Sequence, residues 1–253
     1  RNATFYGRFY DPVKLETDLL SWNPHTGDRM RYVFHAEFDE TQPMLEDGKG
    51  RIWMAGFEGL ITRLDPASGQ IDYFKYRPGH SETSKSSSTV LYEDRQGSLW
   101  VGSQEGFART ENPGSANPEF KWYSNNPEDR NSLNYNHVSC FLEDPAQPER
   151  YIWIATKGGG LNRLDKKSGS FLHLTTEQGL PNNVVYGILS DAAGNIWGSS
   201  NKGIFCLSLD SDPYVIRHFS SADGLQDDEF NTSAYLKMPD GTLAFGGVNG
   251  INR

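Results

Sequence analysis

An all-β fold, a β-propeller assembled from four-stranded repeats, is the class this sequence predicts. Three observations carry that expectation. One short motif recurs six times at nearly constant spacing, turn-forming residues separate short apolar runs, and no long stretch has a helical period.

The motif reads Asp, a short turn with Gly, an apolar residue, then an aromatic. It appears as DGKGRIW (47–53), DRQGSLW (94–100) and DAAGNIW (191–197), stretched as DPAQPERYIW (144–153), and last as DGTLAF (240–245). ATFYG places Phe5 in the same slot, so the aromatic series is Phe5, Trp53, Trp100, Trp153, Trp197 and Phe245, at intervals of 48, 47, 53, 44 and 48 residues. An apolar strand A precedes each turn, as in HVSCFLED, and strand B carries the aromatic. A Gly-rich loop leads to strand C (LITRLD, LNRLD, GIFCLS), and a turn such as Pro66-Ala67-Ser68-Gly69 opens strand D. The repeats span about residues 1–36, 40–77, 88–123, 136–174, 183–219 and 229–253 of a single propeller segment. The first lacks its strand A and the last its strand D. Closure within the chain leaves surplus strands, which predicts a piece of a larger, seven-bladed ring.

Composition narrows the functional class. Apolar residues make up 36% of the 253 and glycines number 26, which suits a folded domain with many tight turns. A net charge of −9 with no run of like charges argues against nucleic acid as a partner, since neutralising phosphates needs a basic face. No apolar run approaches the ~20 residues of a membrane span. Cys140 and Cys206 sit in apolar strand patterns and read as buried free thiols.

The stretches NSLNYNHVSCFLED (131–144) with YIWIATKGGGLNRLD (151–165), and GLPNNVVYGILSDAAGNIWGSSNKGIFCLS (179–208), resemble the two-component regulator propeller repeat. DGLQDDEFNTSAYLKMPDGTLAFGGVNGINR (223–253) resembles the repeat that ends such propellers before an immunoglobulin-like domain. The resemblance runs from about Glu40 onward. It implies a periplasmic, extracytoplasmic sensor domain of a membrane-anchored signalling protein, often a hybrid histidine kinase, in a family that forms seven-bladed rings and often binds carbohydrate. The expected partner is a small molecule, an oligosaccharide foremost, and a homodimer stays open as an alternative.

The repeats separate scaffold from site. A residue found in every blade is needed by every blade, whereas a polar residue peculiar to one blade is a better site candidate. The turn Asp and the Trp series are therefore read as structural. Arg63, Arg109, Arg163 and Arg253 share a strand C slot, and pairing with neighbouring blades or aromatic rings is expected before an anion-binding triad. No GxSxG, HExxH or Walker pattern is present, so no catalytic residues, metal or cofactor are assigned. The acidic run Asp223, Asp227, Asp228 and Glu229 lacks an alternating calcium-ligand loop.

The remaining candidates lie on the B–C and D–A loops, which share one face around the channel mouth. B–C loops supply Gln104, Glu105, Lys157 and Lys202, with Glu58, Asn201 and Asn249 beside them. D–A loops supply His80, Tyr135, Asn136, His137, Asn182, Asn183 and Glu229, with Asp228. Amides, charges and a ring suit a polyhydroxylated ligand, and Glu229 with His137 is the one suggestion of an acid/base pair. Asn136 and Asn183 are thus expected to matter for binding, and Lys49 and Lys166 on the opposite face are not.

Overall fold

The computed structural model describes residues 5–11, 16–34, 43–56, 59–77 and 87–253. They form six antiparallel sheets in chain order. The first holds β1 (Phe5–Asp11), β2 (Glu16–Trp22) and β3 (Arg29–Phe34). The second holds β4 (Met44–Glu46), β5 (Ile52–Ala55), β6 (Leu60–Asp65) and β7 (Gln70–Lys75). The third holds β8 (Ser88–Glu93), β9 (Leu99–Ser103), β10 (Gly106–Thr110) and β11 (Lys121–Tyr123). The fourth holds β12 (Val138–Glu143), β13 (Tyr151–Thr156), β14 (Leu161–Asp165) and β15 (Phe171–Leu174). The fifth holds β16 (Val185–Ser190), β17 (Ile196–Ser200), β18 (Gly203–Ser208) and β19 (Val215–Phe219), and the sixth β20 (Phe230–Lys237), β21 (Leu243–Gly247) and β22 (Gly250–Asn252). Each sheet is one blade. The A strands are neighbours from blade to blade, β4 beside β8, β8 beside β12, β12 beside β16, β16 beside β20.

Each blade interface has its own core, because a twisted sheet leaves a wedge that large side chains fill. Leu19, Phe34, Ile52 and Leu64 join the first two blades. Trp53, Tyr76 and Leu91 fill the next wedge, Trp100, Phe107, Val138 and Phe141 the third, and Trp153, Val185 and Phe205 the fourth. Trp53, Trp100 and Trp153 are fully buried, as scaffold residues should be.

The turn Asp and the Trp turn out to be one unit. Asp47 Oδ1 accepts the Lys49 and Arg51 N–H groups, and its Oδ2 accepts Trp53 Nε1 at 2.8 Å. Trp100 donates to Asp94 at 3.0 Å, Trp153 to Asp144 at 2.9 Å and Trp197 to Asp191 at 2.9 Å. One carboxylate thereby closes the A–B turn and satisfies the only polar group of the core indole. Burial alone raises the Asp191 carboxyl, but bonds from Asn195, Trp197 and the turn backbone more than offset it, and it titrates below the usual range.

The register places three of the strand C arginines opposite the Trp. Arg63 faces Trp53, Arg109 faces Trp100 and Arg163 faces Trp153. Arg253 misses the slot by one residue, since Asn252 stands opposite Phe245. The fifth blade puts Cys206 there, and both cysteines are free and buried.

Candidate functional site

The D–A loops close by a device that strand patterns do not reveal. Asn136 Oδ1 accepts the Asn125 N–H at 2.6 Å, Asn183 Oδ1 the Thr176 N–H at 2.8 Å, and Asp228 Oδ1 the Ser221 N–H at 2.5 Å. Each acceptor precedes strand A by the same number of residues, counted to Val138, Val185 and Phe230. The rule that separates scaffold from site therefore moves Asn136 and Asn183 toward scaffold: their side-chain oxygens hold loops shut. Asn182 is occupied locally, accepting the Val184 N–H at 2.7 Å.

The positions flanking that clamp differ in every blade. The residue after it is His137 in the fourth blade and Glu229 in the sixth, with Val184 between them in the fifth. His137 O accepts the Lys157 N–H, and Lys157 also bridges to Val184 of the next blade. The Lys157 ammonium stands 5.8 Å from the centroid of the Tyr186 ring. Tyr186 lies on β16, in the slot where other blades use Thr89 and Ser139 to bond the adjacent A strand's carbonyl. Lys157, Tyr186 and Glu229 thus come from three successive blades, with His137 paired to Lys157.

Tyr135 completes this group. A Cβ on Gly158 would lie 2.7 Å from the Tyr135 ring, and one on Gly159 would lie 2.1 Å from Asn134 Oδ1. The glycines of Lys157-Gly158-Gly159-Gly160 let the backbone run under the ring, which keeps 45% of its surface exposed. The result is an open aromatic platform beside half-buried His137, Lys157 and Tyr186 and an exposed Glu229.

Electrostatics bind the group together. Burial, and then the Lys157 charge, hold the His137 imidazole below its usual range. Burial also lowers Lys157, and among the described residues no carboxylate pairs with it. Burial, and then Glu229, push the Tyr186 phenol up. The group offers an imidazole, an amine, a phenol hydroxyl and a carboxyl group, donors and acceptors together.

The remaining sequence-predicted residues stand apart. Gln104 bonds the Ser87 hydroxyl at 3.1 Å, and Glu105 is ion-paired to Arg77, whose guanidinium lies over Trp122. Lys202 is exposed and is held through its backbone N–H by Ser200 Oγ. His80 and Glu58 lie outside the described residues. Asp227 and Asp228 are engaged by Asn249 and Ser221, and among the described residues no group of acidic, His or Cys side chains could hold a metal ion. Lys166 is not a free surface lysine: its side chain is 3% exposed, between Asp94 and Glu143. Tyr186 sits on a strand, outside the loops that the sequence singles out. Its signal was present: a large ring where two other blades have Ser or Thr.

A depressed His137 has a consequence for stability. Below about pH 6.5 the unfolded chain protonates this residue while the folded state resists. Stability is therefore lost as pH falls through that range, until the folded-state value is passed. Urea midpoints at about pH 7 and pH 5.5 should differ less in His137→Gln than in the parent chain.

Comparison with known proteins bears on what such a site serves. The two-component regulator propeller model matches residues 82–105 and 179–202. Those two segments, in the third and fifth blades, match that repeat. A histidine kinase of Formosa agariphila is 34% identical over 73 residues, which is 29% of this chain and 5% of that protein. The extracellular domain assigned to a hybrid two-component system of B. thetaiotaomicron superposes over 99% of this chain and 38% of its own length, with a TM-score of 0.58 and 15% identity. Virginiamycin B lyase of Staphylococcus aureus superposes over 98% of this chain and 82% of its own, with a TM-score of 0.65 and 12% identity. At such identities these structures share the fold alone. The chain spans well under half of the first of these structures. Among the described residues no helix is long and apolar enough to cross a membrane.

Proposed function

We propose that this propeller is the ligand-sensing part of a membrane-anchored two-component signalling protein, facing the periplasm. It binds a saccharide or similar polar molecule at the channel mouth and relays occupancy to a downstream kinase module. The observation that carries this reading is the convergence of side chains peculiar to single blades. Tyr135 supplies a face for a sugar ring, while His137, Lys157, Tyr186 and Glu229 supply hydrogen bonds of both senses. The regulator-propeller match gives the signalling context.

Calorimetry against an oligosaccharide panel tests the reading. For the saccharide found to bind, Lys157→Met should weaken affinity about tenfold, the usual worth of a bond to a charged group. Lys49→Ala on the opposite face should leave affinity unchanged. Equal effects of the two would remove the site from the channel mouth.

One second reading, a propeller enzyme acting on polysaccharide, rests on His137 and Glu229, which the sequence offers as an acid/base pair on D–A loops. It requires turnover, which mass spectrometry of glycans incubated with the protein would detect. Products that disappear in Glu229→Gln would establish it in place of sensing.

A further inference from the structure

The strand C arginines repeat one position in three blades, and two of them are fully provided for. Arg63 Nε and Nη2 meet Asp72 Oδ2 at 3.2 and 2.7 Å, from the strand D residue opposite it. Its Nη1 reaches into the next blade's C–D loop, to Pro113 O at 2.7 Å and Ser115 O at 2.8 Å. Arg163 lies over the Tyr151 ring and donates to the Tyr214 hydroxyl, again from the next blade's C–D connection.

Arg109 lacks both kinds of partner. Opposite it on strand D stands Lys121, a cation where the second blade has Asp72. The next blade's C–D connection is the tight turn from Lys166 to Ser170, too short to reach over it. Arg109 packs 4.9 Å from the Trp100 centroid, its Nη2 meets Ser98 Oγ at 3.3 Å, and its Nε has no hydrogen-bond partner among the described residues. Its side chain is only 9% exposed, and among the described residues its single carboxylate partner is Glu111, 76% exposed, at 3.0 Å. In place of a covering loop there are two adjoining cavities of about 570 and 380 Å³, both lined by Arg109, Glu111 and Lys166. A cleft of that volume fits a small molecule.

We propose that this cleft, on the face opposite the channel mouth, binds a small carboxylate-bearing molecule. The carboxylate engages the Nε–Nη2 edge that Asp72 occupies on Arg63, and its charge competes for the guanidinium with Glu111, which holds Nη1. A buried guanidinium with an unused N–H gains most from a planar, bidentate anion. Phe120 and Tyr123 on the same wall offer apolar surface to the rest of the ligand.

Benzoate and its neutral amide, benzamide, are suitable probes at constant ionic strength. The Arg109 Nε–Hε cross-peak in ¹H–¹⁵N spectra, assigned by its loss in Arg109→Lys, should move saturably with benzoate and stay still with benzamide. Glu111→Gln removes the internal competitor and should tighten benzoate binding about two- to fivefold, the span an exposed ion pair covers. Arg109→Lys should weaken it about tenfold or more. Because Glu111 is exposed, its variant decides the matter even where Arg109→Lys disturbs the packing on Trp100. An unmoved cross-peak, an equal response to benzamide, or unchanged or weaker binding in Glu111→Gln would overturn the assignment.

Discussion

Lys166→Ala is expected to destabilise the domain by about 3–5 kcal/mol, the usual consequence of removing one partner from a buried ionic group. Lys166 Nζ lies 3.3 Å from Asp94 Oδ2 and 3.6 Å from Glu143 Oε1, and the three side chains are 3%, 0% and 8% exposed. Asp94 closes the third blade's A–B turn and holds Trp100, while Glu143 accepts the Arg95 N–H at 3.2 Å. The ammonium therefore ties the fourth blade's C–D turn to the third blade's A–B turn. Without it two buried carboxylates remain, with Arg95 Nε, 3.5 Å from Glu143 on an exposed side chain, as the ion-pair partner left among the described residues. Lys49→Ala, on an exposed turn residue, should change stability by no more than about 0.5 kcal/mol. Urea midpoints of the two variants provide the check. A Lys166→Ala chain as stable as Lys49→Ala would mean that water or a rearranged side chain replaces the ammonium.

Lys166 also shows where sequence reasoning stops. The blades, their strand order and the buried Trp series follow from a repeat that needs no partner information. So does the expectation that the strand C arginines serve packing, since Arg63 and Arg163 do bond neighbouring blades and lie over rings. What a single turn lysine touches depends on the offset between adjacent blades, and no one blade's sequence encodes that offset. The same gap explains Asn136 and Asn183. Each looks like an unattached polar loop residue, yet each closes a bond to backbone 11 or 7 residues earlier. His137, Lys157 and Glu229 were legible because they break the repeat, whereas Tyr186 breaks it on a strand. Arg253 was misplaced because the one-residue register of the last hairpin is fixed by pairing, not by spacing.

Trp153→Ala should cost about 3–5 kcal/mol, as deletion of a large core aromatic does, and the Asp144 bond makes its loss more than a matter of volume. Trp153 is fully buried among Leu161, Val185 and Phe205, between the fourth and fifth blades. Its Nε1 donates to Asp144 Oδ2, while Asp144 Oδ1 accepts the Ala146 and Gln147 N–H groups. Truncating the carboxylate strands the indole N–H in a dry wedge, so Asp144→Ala alone should cost about 2–3 kcal/mol. A double-mutant cycle separates shape from hydrogen bonding. In a Trp153→Phe background the N–H is gone, and Asp144→Ala should cost less by about 1–2 kcal/mol. Additive effects would mean that the carboxylate acts through the turn alone. A Trp153→Ala chain of nearly full stability that lost saccharide binding would instead recast the Trp series as a sugar platform. Trp53, Trp100 and Trp153 are buried and each N–H is bonded to its own turn, which leaves those three no face or donor for that role; Trp197 is half-buried, with its N–H bonded likewise.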